Sequence, residues 1–464
     1  MSDSPDTTEH SSSRFTVGTL VYSKLELFRV VFWMLLAVFM LQLMQQLPIA
    51  LVPLQLRWVS ASDALIGFLT GSLPAFLGIL LNPFVGVQSD RHRGPLGRRR
   101  PFLLWATPAI VCSLIGLGFA KALAEWFVAT WHLGSVPDFT IGWIAGCMLV
   151  FVVANTYVLQ VYQFMYVDVI PMSVMGKFVG FYRALGALGT FAFHYFLFGM
   201  AETHMTFIYA GSALVFATCF FLLVWQVKEG GYPEPAPKNS ANLWSHAGEY
   251  FRECFGHSFF WKVYSMSFFF WSALVPLWAF VVFFGTKPGG GLEGYAPTIG
   301  LNLQEFGEIR GWGSLVSVPV FFAVGPLIDK FHPIRICMVG LVVTTMAFLG
   351  CFAFAQTSLS FTIWWLVLMC AVAVYMGGVG ALFPRLMDRA KYGQFASANQ
   401  IFGFSGVVMA PVLCGWMIAA LRDYRYVFLW CAVCSALCGV ASVLVYLHWK
   451  KLGGDKDYKP IETQ

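Results

Sequence analysis

Along this chain, apolar positions gather into long uninterrupted blocks separated by short polar breaks, with neither strand alternation nor a heptad. A helix crossing a hydrocarbon core of about 30 Å needs roughly 20 apolar residues. Twelve blocks meet that length: 30–52, 64–87, 102–120, 141–167, 178–200, 205–227, 263–284, 311–328, 336–355, 361–383, 395–420 and 426–447. The ten-residue alternation of a membrane barrel is absent. The pattern therefore predicts an all-α membrane protein with twelve transmembrane helices.

The polar breaks divide the chain. Residues 1–28 are polar and Ser-rich, without a secretory leader, and read as a disordered cytoplasmic tail. Residues 228–262 form the longest break between blocks and separate six spans from six. The expected organisation is a six-helix bundle over 29–227, a cytoplasmic central loop over 228–262, a second bundle over 263–447 and a cytoplasmic tail over 448–464. Such a six-plus-six plan suits carriers whose bundles rock about a central site.

Composition sharpens this picture. Hydrophobic residues make up 58% of the 464 residues and charged residues only 11%, against roughly 45–50% and about 25% in soluble domains. Mean hydropathy is +0.70. A soluble enzyme, a disordered chain and a nucleic-acid binder are excluded. The net charge of +6 follows from topology: 23 of the 29 Lys and Arg residues fall in the tails, in the loops after spans 2, 6, 8 and 10, and in the span 4–5 region that includes Arg183. Positive residues stay on the cytoplasmic side, so both termini are expected there, in a plasma (inner) membrane. Ten of the eleven Cys lie in apolar stretches, as small apolar side chains on helix faces rather than as disulfides or metal ligands.

The break after span 2 carries the most specific pattern. It reads N-P-F-V-G-V-Q-S-D-R-H-R-G-P-L-G-R-R-R-P-F from Asn82 to Phe102. A carboxylate at Asp90 stands where a helix meets the cytosol and can face a helix N-terminus or an arginine. A weaker copy, Gly325 to Asp329 and Lys330, follows span 8 at the matching place of the second half. The end of span 4 offers Asp168, Pro171, Lys177 and Arg183, and the corresponding loop of the second half carries Arg385, Asp388, Arg389 and Lys391.

Taken whole, Ser89, Asp90, Arg91, Gly97, Arg98, Arg99, Arg100, Pro101 and Phe102 resemble the loop 2–3 signature of the major facilitator superfamily, in the form found in sucrose–proton symporters and the wider glycoside–pentoside–hexuronide cation symporters. The resemblance is good over this loop and the twelve-span plan and poor over the second half. A related form occurs in carriers linked to bacteriochlorophyll assembly, so the motif leaves the substrate open. The resemblance implies the major facilitator fold, alternating access, sugar transport by symport, and a cytosolic gate of Asp90, Arg91, Arg98, Arg99, Arg100, Asp168, Arg183 and Asp329, in which Asp168 is expected to pair with Lys177 or Arg183.

Polar side chains within spans mark a cavity or a partner helix. Span 1 places Gln42, Gln45 and Gln46 on one face, span 4 carries Asn155, Gln160 and Gln163 in one stripe, span 7 carries Trp271 and Trp278, and span 11 begins with Asn399 and Gln400. Amides donate and accept without charge, and aromatic faces pack on sugar C–H surfaces, so this inventory points to a small neutral polar solute of the sugar or glycoside type. An anion would want a buried cation, and only Arg183 comes near. No catalytic constellation, nucleotide loop, metal cluster or cofactor motif stands out; no enzyme activity, cofactor or nucleic-acid partner is expected, and the protein is expected to be a monomer. The alternatives are an uncoupled sugar facilitator and a pigment- or lipid-handling factor of the same fold.

Proton coupling is the point of departure. The symporters that this chain resembles carry an acid in span 4, where Val152 stands here. The twelve blocks contain no Asp or Glu, and their ionisable Lys, Arg or His groups are Arg183 and His194. The candidate coupling groups are therefore His194, whose side chain titrates near neutrality, and Glu305 and Glu308 at the outer mouth of span 8, with Arg310 nearby to hold them ionised.

Overall fold

The computed structural model describes residues 15–132, 134–231, 252, 254–286, 294–387, 392–454 and 458. In hydrocarbon an unpaired peptide group is costly, so a spanning chain satisfies its backbone within helices. Span 1 is Lys24–Trp58, span 2 Asp63–Arg91, span 3 Arg100–Gly118, span 4 Val136–Val169, span 5 Met172–Ala192 and span 6 Ala201–Gln226. Spans 7 to 12 are Ser258–Gly285, Leu303–Phe331, Pro333–Phe354, Ser358–Leu386, Tyr392–Leu421 and Tyr426–Lys451. All twelve apolar blocks are helices. Spans 5 and 6 run as one helical stretch, joined through a π-helical turn at Phe193–Leu197, a 3-10 turn at Phe198–Met200 and a non-helical His204.

Most helices extend beyond the apolar blocks by one to two turns. Span 1 has 35 residues, or about 52 Å at 1.5 Å per residue. Span 8 starts at Leu303 because Asn302 and Glu305 form a capping box, with Asn302 Oδ1 accepting from the Glu305 amide at 2.8 Å. This early start carries Glu305, Glu308 and Arg310 onto the helix.

Two short elements depart from expectation. The segment expected to be a disordered tail contains a hairpin, β1 Phe15–Val17 and β2 Leu20–Tyr22, turning through Gly18 at φ +54°. The Gly231 amide donates to Thr19 Oγ1 at 2.7 Å, tying the hairpin to the end of span 6. A helix over Ala120–Trp131 lies between spans 3 and 4, its Trp126 and Trp131 exposed, as suits an aromatic belt at a membrane interface.

The halves repeat each other in packing. Span 1 packs on spans 5 and 6, and span 7 on spans 11 and 12; span 3 packs on spans 4 and 6, and span 9 on spans 10 and 12. Glycines permit the closest approaches. A Cβ at Gly189 of span 5 would strike the Phe39 carbonyl of span 1, and one at Gly406 of span 11 would strike the Phe268 carbonyl of span 7. The halves meet along span 2 against span 11, span 5 against span 8, and span 1 against span 7. Large exposed apolar side chains such as Phe207, Trp225, Met346 and Leu359 cover the outside, the surface a bilayer would cover.

Candidate functional site

Spans 1 and 7 are the inner pair, and a cavity lies on each side of them. The first, of about 590 Å³, is walled by spans 1, 2, 4, 7 and 11. The second, of about 410 Å³, is walled by spans 1, 5, 7, 8 and 10. Gln45, Ile49 and Trp278 line both, so the two are chambers of one interbundle space.

The amides selected from the sequence converge here, with one exception. Gln45, Asn155, Gln160, Asn399 and Gln400 line the first chamber together with Trp271, Trp278, Asn82 and Ser267. Gln42, Gln45 and Gln46 line the second. Two of these groups also bond across helices: Gln45 Nε2 donates to Asn155 Oδ1 at 3.2 Å, and Ser267 Oγ to Asn399 Oδ1 at 2.7 Å. Gln163 lines neither chamber and hydrogen-bonds Tyr182 instead. Its position, one turn beyond Gln160, takes it past the cavity wall.

The Arg-rich loop forms a dense ionic cluster on the face that carries the termini. Arg99 donates to Asp90 Oδ1 at 2.5 Å, to Asp168 Oδ2 at 3.1 Å and to Ser89 Oγ at 2.5 Å. Arg98 reaches Asp168 at 2.7 Å and Asp90 at 3.6 Å. Asp168 is therefore paired with Arg98 and Arg99, and neither Lys177 nor Arg183 takes the expected role. The cause is packing: span 3 lies on span 4, bringing the start of one to the end of the other. Arg183 is exposed, its guanidinium carbon 5.7 Å from the Phe321 ring of span 8. Arg91 is exposed as well. Arg100 donates from Nε to the Val224 carbonyl at 2.6 Å. The Asp329 side chain, Asp388, Arg389 and Lys391 lie outside what the structure describes.

Sequence reasoning missed Glu229. Its carboxylate accepts the backbone amides of Arg98, Arg99 and Arg100 at 2.9, 2.9 and 2.8 Å, neutralising the amide-rich N-terminus of span 3. A Glu in a polar loop gives no local signal for such a role. All these partners belong to the first half, so the cluster ties spans 2, 3, 4 and 6 within one bundle.

The opposite face is built differently. Arg57 at the end of span 1 pairs with Asp63 at the start of span 2, and both are buried. Arg57 also donates to Tyr424, just ahead of span 12, and Tyr424 donates to Asp63 Oδ1 at 2.9 Å. Tyr295, from the segment between spans 7 and 8, donates to Asp63 Oδ2 at 3.0 Å and stacks on Tyr424. Burial and then the Asp63 carboxylate push the Tyr295 hydroxyl up to about 12, so it remains a donor across the physiological range. This cluster joins the two halves. Around it the interbundle seams are tight: Cβ atoms at Gly67 and Gly71 would strike Pro411, and one at Gly307 would strike the His194 carbonyl. Both seams carry a π-helical turn, Phe68–Ser72 in span 2 and Phe193–Leu197 after span 5, a distortion frequent at functional sites. Toward the termini face the same seams are looser: a Cβ at Gly78 would stand 3.7 Å from Phe404, and one at Gly325 would meet no described atom within 4 Å. The two halves are thus packed more tightly on the face opposite the termini than on the other.

The expected coupling groups are dispersed. His194 is buried, its Nδ1 bonded to the Thr190 carbonyl at 3.0 Å, and it lines neither chamber. Glu305 caps span 8, and Glu308 accepts from Gln304 Nε2 at 2.9 Å. Arg310 forms no ion pair with either among the described residues. It lies two turns inside span 8, 7% exposed, and lines the second chamber. The expectation failed because the helix begins at Leu303, eight residues before the apolar block.

Residues 292–462 match the family model described as Major Facilitator Superfamily. No curated protein sequence matches. Among solved structures the chain is similar to the nucleoside transporter NupG (TM-score 0.69, 11% identity, covering 90% of this chain and 100% of that one). A bacterial homolog of the human lysosomal transporter Spinster, inward-facing and unoccupied, superposes with TM-score 0.67 at 14% identity over 92% and 99% of the two chains. The xylose transporter XylE from E. coli, inward open, gives 0.63 at 13% over 90% and 96%. These likenesses and the twelve-span, two-bundle architecture show that the chain has the major facilitator fold.

Proposed function

We propose that this protein is an alternating-access transporter for a small hydroxyl-rich solute of the sugar or glycoside class, with its binding site in the interbundle cavity. The observation that carries the reading is the convergence of Gln45, Asn155, Gln160, Asn399 and Gln400 with Trp271 and Trp278 on one chamber. Amides with free lone pairs and N–H groups exchange hydrogen bonds with hydroxyls at little electrostatic cost, and indole faces cover apolar ring surfaces. The charge asymmetry of the loops supports a plasma (inner) membrane location with both termini cytoplasmic. On that orientation the more tightly packed face is external and the conformation is inward-facing. The xylose and nucleoside carriers of like fold agree with the solute class, and a monomer suffices because one chain supplies both bundles.

Coupling is the finer question. Among the described residues, neither chamber is lined by an Asp or Glu. That favours facilitated movement over the proton symport that the loop 2–3 resemblance implies. Glu308 is better placed than His194 to exchange a proton, being partly exposed on span 8 while His194 is sealed in apolar packing. A pigment- or lipid-handling role is disfavoured by the amide lining.

Counterflow of labelled hexoses, disaccharides and polyols into proteoliposomes tests the reading. One solute class should exchange, and Asn155→Ala should lower its affinity about tenfold, the order expected for one buried hydrogen-bonding group. Exchange of none of these solutes would remove the proposal. An imposed pH gradient separates the modes: accumulation lost in Glu308→Gln marks proton symport, and equilibration without accumulation marks a facilitator.

A further inference from the structure

We propose that the solute carries a carboxylate and that Arg310 in the second chamber binds it. This inference rests on the reading of the interbundle cavity as the solute site, and it names the charge of that solute.

The observation is a concentration of unmet polar atoms. Among the described residues, Arg310 Nη1, Trp365 Nε1 and His194 Nε2 are buried without a hydrogen-bond partner. Arg310 and Trp365 both line the second chamber, and the Arg310 guanidinium carbon lies 6.0 Å from the Trp365 ring and 6.0 Å from the Phe306 ring. His194 adjoins the same aromatic group through Phe198, 5.9 Å from its ring and 6.0 Å from that of Phe306. No described acid pairs with Arg310, and its side chain makes no hydrogen bond to a described residue.

A guanidinium cannot shed its charge, and taking one out of water without a counter-ion is penalised by several kcal/mol. The two aromatic rings stand at the outer limit of useful cation–π distance, so they compensate little. The Glu side chains two and five residues earlier on span 8 are engaged elsewhere, Glu308 with Gln304 and Glu305 in the capping box. An anion entering the chamber is the partner that the chain itself does not provide.

The lining also restricts that anion. Among the described residues walling either chamber Arg310 is the sole cation, so one negative charge is matched, while a phosphate dianion would leave charge uncompensated. Arginine's planar fork suits a carboxylate, and Trp365 Nε1 adds a donor. The chamber continues past Gln45 and Trp278 into the amide-lined space, where hydroxyls would be held. A hydroxylated monocarboxylate of aldonate type fits both ends.

D-gluconate and D-sorbitol test this as a matched pair, since they differ only in a terminal carboxylate against a hydroxymethyl group. Binding to the purified full-length protein is read by calorimetry and by thermal shift, with acetate at equal ionic strength as the third probe. The parent should bind gluconate about tenfold or more tighter than sorbitol, the order of a charge-assisted pair, with acetate weaker than gluconate. Arg310→Gln should bring gluconate down to the sorbitol level, and Arg310→Lys should retain part of the preference. Equal affinity for the pair in the parent, no binding of gluconate, or a preference that survives Arg310→Gln would overturn the inference. Acetate binding as tightly as gluconate would also overturn it, by reducing the site to one for simple anions. Should Arg310→Gln fail to fold, the Arg310→Lys variant and the parent's discrimination among the three probes decide the outcome. Sorbitol binding without preference would leave the transporter reading intact while ending this one.

Discussion

The two faces of the molecule each carry an ionic cluster, partly exposed on the termini face and buried on the other, and the clusters do opposite work. On the termini face Asp90, Arg98, Arg99, Asp168 and Glu229 join spans 2, 3, 4 and 6 of one half. On the opposite face Arg57, Asp63, Tyr295 and Tyr424 join one half to the other. A cluster within a bundle keeps its partners when the bundles rock as rigid bodies. A cluster between bundles has to break whenever that face opens. Ion pairs of similar composition therefore serve stability in one place and switching in the other, and connectivity alone distinguishes them.

The largest effect should come from Arg99→Ala. Its side chain is 4% exposed and serves both Asp90 and Asp168. Its loss leaves Asp168 with Arg98 alone and Asp90 largely to solvent, which costs about 1–3 kcal/mol. A thermal denaturation scan should show a fall in Tm of several degrees. An unchanged Tm would mean that the cluster is not structural and would dissolve the contrast between the faces.

Asp63→Asn should act on conformation more than on stability. It weakens contacts to Arg57, Tyr424 and Tyr295 together, all of which cross or adjoin the interbundle seam. Cys414 of span 11 is buried beside Asp63 and reports the opening of this face. Site-resolved maleimide labelling of Cys414 should accelerate about tenfold, as for a shift of roughly 1.4 kcal/mol between the two states. Labelling at the parent's rate would show that the cluster does not hold the seam.

The smallest effect is expected from Tyr295→Phe, which removes one neutral donor worth about 1 kcal/mol. Cys414 labelling should rise about fivefold, and the ratio of variant to parent should stay flat between pH 5 and 9. The hydroxyl, pushed up to about 12, is protonated throughout that range, so its hydrogen bond is neither gained nor lost. A ratio that changes with pH would place a titrating group in the latch.

Within the amino-acid pattern, some of this was legible and some was not. The Ser89–Phe102 run was readable because its charges are clustered and stand at a span end. Its partner Asp168 stands out as a charge at a span end, but neighbours in sequence are the wrong partners for it, because the pairing follows the contact of span 3 with span 4. The amide stripes pointed to the cavity because amides in apolar helices need partners, and Gln163 failed only because one helical turn separates the cavity wall from an interhelical contact. Arg310 was misread because hydropathy places a helix end where apolar residues cease, while the Asn302–Glu305 cap starts the helix earlier. The hairpin over 15–22 eluded a compositional reading because its anchor, Gly231, is remote in the chain.

The sequence alone determined that the chain spans a membrane twelve times, in two halves, because burial in hydrocarbon depends on the length and apolarity of each segment taken singly. Which charges meet, and which of them lock or release the halves, was decided only by the tertiary structure. Those outcomes depend on distances between residues such as Asp63 and Tyr424, separated by most of the chain and brought together by the packing of helices that share no local signal.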